Sequence, residues 1–281
     1  MSYRSILIPL DSEAPCVART ATALALAKVM DSHVTGVAPT DLLDRRATFE
    51  VASSVAGLPV LGRDVLVEDA TRAALAFEVA CELAGVHSRQ SVVDESDMIT
   101  ALNRRVRVND LIVLTQPEPH SRDGQAFKTQ QVEAAILASA RPVLLLPYAN
   151  AVSTLGTRVL VAWDDSPAAA RAVADALPLL RRAERVTVVV FNKATTADDV
   201  GLSDDPTCLC EWLERHGVSA QASVETTTIE VSDALLSRAS DLGIDLIVMG
   251  AYGHSRWSER ILGGATRGVL ASMTVPVLMS H

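Results

Sequence analysis

Aromatic side chains are scarce in this chain of 281 residues: Phe, Tyr and Trp together make up 4% of it. A core short of rings has to be filled with Ala, Val, Leu and Ile, a composition that suits helices packed on a buried parallel sheet. Paired cysteines are missing too. Cys16, Cys81, Cys208 and Cys210 are scattered except for one Cys-x-Cys, which has neither the spacing of a zinc or redox motif nor the density of a disulfide scaffold. No apolar run approaches the roughly 18 residues of a membrane span, and Met1 to Leu10 is too short and polar for a secretory signal. A soluble protein of a reducing cytoplasm is expected. Basic charge is in deficit, with 25 Lys and Arg against 34 Asp and Glu, a net of −9. Phosphate backbones and anionic lipid repel such a chain, so nucleic acid and membrane surfaces are excluded as partners.

What the chain does have is repetition. Ser5-Ile6-Leu7-Ile8-Pro9-Leu10-Asp11-Ser12 recurs as Arg158-Val159-Leu160-Val161-Ala162-Trp163-Asp164-Asp165. Each run ends at an aspartate and is followed by an Ala-rich segment of helical period, Pro15 to Val29 and Pro167 to Leu180, and then by a β-branched run, His33 to Val37 and Arg185 to Phe191. Asp110-Leu111-Ile112-Val113-Leu114 recurs as Asp245-Leu246-Ile247-Val248-Met249, and Pro142-Val143-Leu144-Leu145 as Pro276-Val277-Leu278-Met279. The length accommodates two domains of about 140 residues. We read one domain over 1–150 and a second over 151–281, joined in the small, polar stretch Tyr148 to Thr157 and carrying net charges of −4 and −5.

Each half reads as alternating strands and helices, which implies right-handed crossovers and a doubly wound parallel sheet. The fold expected is therefore α/β, two tandem five-stranded parallel α/β sandwiches. In the second half, strands are predicted over Val159 to Trp163, Val186 to Phe191, Ala220 to Thr226, Leu246 to Met249 and Val275 to Met279. Helices are predicted near Pro167 to Leu180, Asp205 to Arg215, Val231 to Asp241 and Thr266 to Ala271. Ser166 before Pro167 is a helix start, and Gly217 and Gly243 stand where left-handed C-caps are wanted. The first half has a longer insertion over Thr40 to Glu68, with a further short helix expected over Ala47 to Ala56.

After the fourth strand of the second half come Gly250, Gly253, Gly263 and Gly264, the last two opening the final helix. Glycines at the carboxyl end of a parallel strand let backbone amides approach an anion, and a helix N-terminus adds its dipole, so the stretch reads as a phosphate cradle. A plain Gly-rich turn needed only for geometry is the competing reading. In the first half the matched stretch, Leu114-Thr115-Gln116-Pro117-Glu118-Pro119-His120, has none of these glycines, and its two prolines remove amides.

The spacing Gly250-x2-Gly253-x9-Gly263 directly after Asp245-Leu246-Ile247-Val248-Met249, with Pro276-Val277-Leu278 near the end, resembles the universal stress protein family in a tandem form. That family has an adenine-nucleotide α-hydrolase-like fold, and its nucleotide-binding members hold ATP with this glycine motif. Carried over by position, the resemblance puts Asp164 and Ala162 near the adenosine and Phe191 beside the base. Met249, Gly250 and Gly253 become the ribose and phosphate floor, and Gly263, Gly264, Ala265 and Thr266 donate amides, with a hydroxyl from Thr266. Two departures stand out. Gly264 occupies a place usually held by Ser or Thr, and Asp165 one usually held by Gly, where its carboxylate either repels phosphates or helps hold Mg²⁺. The first domain keeps Asp11 but is not expected to bind nucleotide in the family's manner.

The resemblance implies a cytoplasmic stress-response protein that binds ATP or a related adenine nucleotide, with or without Mg²⁺, in its second domain and acts through nucleotide-modulated interaction. A nucleotide-independent, dimeric regulatory protein is the alternative. No catalytic residue and no metal ligand is assigned. The loop Asp164-Asp165-Ser166-Pro167 lacks the Ser-Gly-Gly-x-Asp-Ser pattern of ATP-activating relatives, so at most slow hydrolysis of bound ATP is expected. His254 is read as a surface or phosphate-adjacent residue, Trp257 as packing or a lid over nucleotide, and Cys208 and Cys210 as packing on a helix. Arg104-Arg105-Val106-Arg107 is read as a solvated helix face. Val143 to Leu146 and Val275 to Met279 are candidates to pair within one chain as a pseudo-dimer, with a further homodimer left open.

Overall fold

The computed structural model describes residues 2–41, 62–118, 125–149, 152–193, 206–252 and 264–281. The helix expected over Ala47 to Ala56 lies outside these residues. Two compact units divide the chain, one made of Ser2–Thr115 with Gln130–Ser139, the other of Ala140–His281 with Gln116–Thr129.

The N-terminal unit runs β1 (Ser5–Pro9), α1 (Ala14–Met30), β2 (His33–Pro39), α2 (Arg63–Ala84), β3 (Arg89–Asp94), α3 (Met98–Asn103), a 3₁₀ turn over Val106–Val108 and β4 (Leu111–Thr115). Its strands are all parallel in the order β3-β2-β1-β4. The central ones are covered on both faces, with Ile6, Leu7, Ile8, Leu111 and Val113 sealed from water, which is why their sequence is continuously apolar. Helix α1 starts with Pro15 in its first turn and stops at Asp31, which takes a left-handed cap with φ 55°. Helix α2 stops the same way at Gly85 with φ 70°.

The second unit contains β5 (Val143–Leu146), β6 (Arg158–Ala162), α5 (Pro167–Leu180), β7 (Arg185–Lys193), α6 (Thr207–Arg215), β8 (Ala220–Thr227), α7 (Val231–Asp241), β9 (Leu246–Gly250), α8 (Gly264–Ser272) and β10 (Val277–Ser280). The helix between β4 and β5, α4, spans Gln125–Ala138. Strand order in the second unit is β5-β10-β9-β6-β7-β8. All neighbours there are parallel except β5 and β10, which are antiparallel with Val277 opposite Leu145 and Met279 opposite Val143. The expected intrachain pairing therefore forms, and β5 lies in the second unit although it ends the first repeat.

Helix boundaries follow local chemistry. Ser166 caps α5 by accepting from the Ala169 amide at 3.1 Å. Gly217 and Gly243 are left-handed at φ 77° and 58°. The repeat extends to polar detail. The Asp110 carboxylate accepts from the Arg4 and Ser5 amides at the start of β1, and the Asp245 carboxylate from the Thr157 and Arg158 amides at the start of β6.

Two surface readings change. Arg105 leaves the expected solvated face: it and the exposed Arg104 both donate to Asp94, whose side chain is only 5% exposed. A buried carboxylate needs cations, and these two reach it. On α6 the buried residues are Leu209 and Leu213, while Cys208 is exposed and Cys210 half-buried, so Cys208 does not pack.

Candidate functional site

In the second unit the chain leaves β6 toward β7 and β8 on one side and returns to β9 and β10 on the other. The crevice of such a sheet opens at the carboxyl ends of the two strands flanking that reversal, here β6 and β9. Ala162 and Met249 are direct neighbours in the β6–β9 register, the first half-buried and the second buried. Phe191 is half-buried near the end of β7, opposite Glu225.

The loop leaving β6 turns sharply. Asp164 accepts from the Ser166 amide at 3.1 Å, the usual device by which an aspartate closes a turn on itself. Between them Asp165 adopts φ 54°, the left-handed region that favours glycine. Both carboxylates are exposed. The turn thus calls for a backbone that suits glycine, which this chain meets with a strained aspartate.

Gly250 ends β9, where a Cβ would lie 2.5 Å from the Ala169 nitrogen and 2.7 Å from the Ala168 carbonyl carbon. The first turn of α5 therefore packs directly on this backbone. Beyond it Tyr252 is left-handed at φ 54°, and its amide donates to Thr266 Oγ1 at 3.2 Å. Thr266 is 3% exposed, so its hydroxyl oxygen ties the turn after β9 to the first turn of α8. His281 Nδ1 lies 3.0 Å from the Ala251 carbonyl oxygen, against the same turn. Gly264 is exposed and Ala265 half-buried at the start of α8, where the first amides have no intrahelical partner. One turn on, Gly268 lets α8 sit against α7, since a Cβ there would lie 2.3 Å from Ser232 Oγ. Gly253, Gly263, His254 and Trp257 lie outside the described residues. Among the described residues no group of three or more His, Cys, Asp and Glu side chains is arranged to hold a metal, and no helix is long and apolar enough to cross a membrane.

The corresponding crevice of the N-terminal unit lies between β1 and β4, and it has an occupant. The Arg19 guanidinium, from the second turn of α1, donates to the Pro9 carbonyl through Nε and Nη2 at 3.1 and 2.8 Å, to Thr115 Oγ1 through Nη1 at 2.9 Å, and to Asp11 Oδ2 through Nη2 at 2.6 Å. Asp11 Oδ1 accepts from the Glu13 amide, as Asp164 does from Ser166. Thr115 stands at the repeat position of Gly250, and Arg19 at that of Ala172, which is fully buried on α5. No sequence signal marked Arg19, because one arginine on an Ala-rich helix reads as ordinary surface charge.

The universal stress protein family's sequence pattern matches residues 157–281. A universal stress protein of Synechocystis is 26% identical over 195 residues, taking in 69% of this chain and 66%, just under two thirds, of that protein's own length. Among solved structures, a universal stress protein from Archaeoglobus fulgidus superposes with a TM-score of 0.74 at 18% identity, covering 98% of this chain and 95% of that one. A protein of unknown function from Pseudomonas aeruginosa gives 0.60 at 16%, covering 99% and 92%. Residues 157–281 thus carry the sequence pattern of the universal stress protein family, and the chain as a whole shares the fold of the Archaeoglobus protein.

Proposed function

We propose that the chain is a cytoplasmic stress-response protein whose second domain, 151–281, binds ATP or a related adenine nucleotide and thereby changes how the protein engages its partners, while the first, 1–150, is a degenerate copy that does not. Ala162, Asp164 and Phe191 serve the adenosine; Met249, Gly250 and Gly253 the ribose and phosphate floor; Gly263, Gly264, Ala265 and Thr266 the phosphates. The observation that carries this reading is the contrast between the two crevices. Where Arg19 fills the first, the second has the buried Ala172 at the matching place, with Gly250 ending β9 against the first turn of α5. Thr266 gives its oxygen to Tyr252, so its contribution is to hold the amides of that turn in place as much as to touch phosphate. Mg²⁺ at such a site would partly neutralise the phosphate charge that faces the exposed Asp164 and Asp165.

The same two exposed carboxylates favour a second reading, a regulatory protein that works without nucleotide. Native mass spectrometry of the intact chain, followed by calorimetric titration with Mg-ATP, separates the two. One nucleotide per chain is expected. A folded protein that takes up no heat and no mass overturns the first reading.

A further inference from the structure

The geometry points to the switch-point crevice of the N-terminal unit as a guanidinium site that carries its own occupant: Arg19 stands there as an internal ligand, and a free guanidinium ion is the chemical class that fits once the side chain is removed. This inference is independent of nucleotide binding in the second domain. Arg19 is 5% exposed, which for an arginine requires partners of matching geometry. Its partners are arranged around one planar group. The Pro9 carbonyl receives two of its N–H bonds, Thr115 Oγ1 takes one from the opposite side, and Asp11 supplies the neutralising charge. These three acceptors come from two backbone segments, β1 with the turn after it and the end of β4, so they are fixed by the sheet rather than by Arg19 itself. A carbonyl, a hydroxyl oxygen that accepts here and a carboxylate facing one point favour a cation with several donors, and the carboxylate's charge disfavours phosphate. Ordinary surface salt bridges such as Arg72 with Glu68 share none of this, since both partners there are largely in water.

Arg19→Ala in the full-length chain leaves those acceptors facing a vacated space. The expected result is local loosening of the N-terminal unit, read as alkylation of Cys81. That thiol is fully buried on α2 and pushed up by burial to about 11, so it reacts slowly in the closed unit, while exposed Cys208 serves as the internal reference. Peptide mass spectrometry should find Cys81 labelled on the order of tenfold faster relative to Cys208. Guanidinium chloride at about 10 mM, far below denaturing concentration, should bring the rate back toward wild type, whereas NaCl or urea at the same concentration should not. An unchanged rate in Arg19→Ala, or equal restoration by all three additives, overturns the proposal. Asp11→Asn, which keeps the arginine, covers the case in which Arg19→Ala fails to accumulate. Cys81 labelling should then rise severalfold, and a wild-type rate in that variant likewise overturns it.

Discussion

A Cβ on Gly250 would fall 2.5 Å from the backbone nitrogen of Ala169, closer than real side chains approach backbone. This glycine therefore sets the distance between the end of β9 and the first turn of α5, whatever else the crevice does. Gly250→Ala is expected to destabilise the second unit by about 1–3 kcal/mol, the usual cost of overpacking, because backbone rather than a flexible side chain must move. Urea denaturation checks this, and wild-type stability in the variant would show that α5 can slide. Loss of ligand by Gly250→Val is for the same reason no proof of a phosphate floor at this position.

Gly264 offers a cleaner test of nucleotide binding. Among the described residues no atom lies within 4 Å of a Cβ placed there, and the residue opens α8 in an exposed position. Gly264→Ser should leave stability within about 0.5 kcal/mol of the parent, as surface changes near helix starts usually do. One restored hydroxyl to a phosphate contributes about 1 kcal/mol, so Mg-ATP should bind roughly fivefold more tightly. Calorimetry on both proteins measures it, and equal affinities would mean that α8 does not face the phosphates.

The fold was legible in the sequence wherever burial is uniform along a strand. Ile6 to Ile8, Val159 to Val161 and Leu246 to Val248 are sealed on both sides, so apolar runs alone locate the sheet. Helices α5 and α7 have the predicted bounds, α5 because Ser166 and Pro167 mark its start in the local sequence. Features that depend on distant partners were hidden. Arg19 reaches Thr115 across 96 residues of sequence, and nothing in the composition of α1 distinguishes it from Lys28, which is exposed. The pairing of Arg104 and Arg105 was hidden because their anchor, Asp94, sits on a different element. Gly250 was visible as a glycine, but its neighbour in α5 was not.

Asp165 adopts φ 54°, a backbone conformation that favours glycine. Aspartate tolerates the left-handed region better than most residues, so the stored strain is modest. Asp165→Gly should stabilise the second unit by about 0.5 kcal/mol, the relief of strain being partly offset by the greater freedom of glycine in the unfolded chain. Asp165→Asn, equally tolerant of this conformation, should leave stability unchanged. An Asn variant clearly less stable than the parent in urea would mean that the carboxylate, not the backbone, governs this turn.

Asp94 links structure to acid stability. Burial pushes its carboxyl up, but Ser96 and Arg105 donate to it and the charges of Arg104 and Arg105 add to their pull, so the net result lies below the ordinary carboxylate value. Burial likewise opposes, and hydrogen bonds centred on Thr100 outweigh it, at Asp97, which is also lowered. A group held lower in the folded state than in the unfolded chain stabilises fully above the unfolded value, about 3.9, and loses that contribution as pH falls through the folded one. Stability of the N-terminal unit should therefore be flat from neutrality to about pH 5 and fall steeply below about pH 4. Asp94→Asn should shallow that acid limb, since the titrating group is gone. At pH 7 it should also cost about 2 kcal/mol, toward the lower end for a broken buried pair because Arg104 is 58% exposed and stays hydrated. Denaturant midpoints across pH 3 to 7 for both proteins decide it: an acid limb as steep in the variant as in the parent would assign the acid sensitivity to carboxylates other than Asp94.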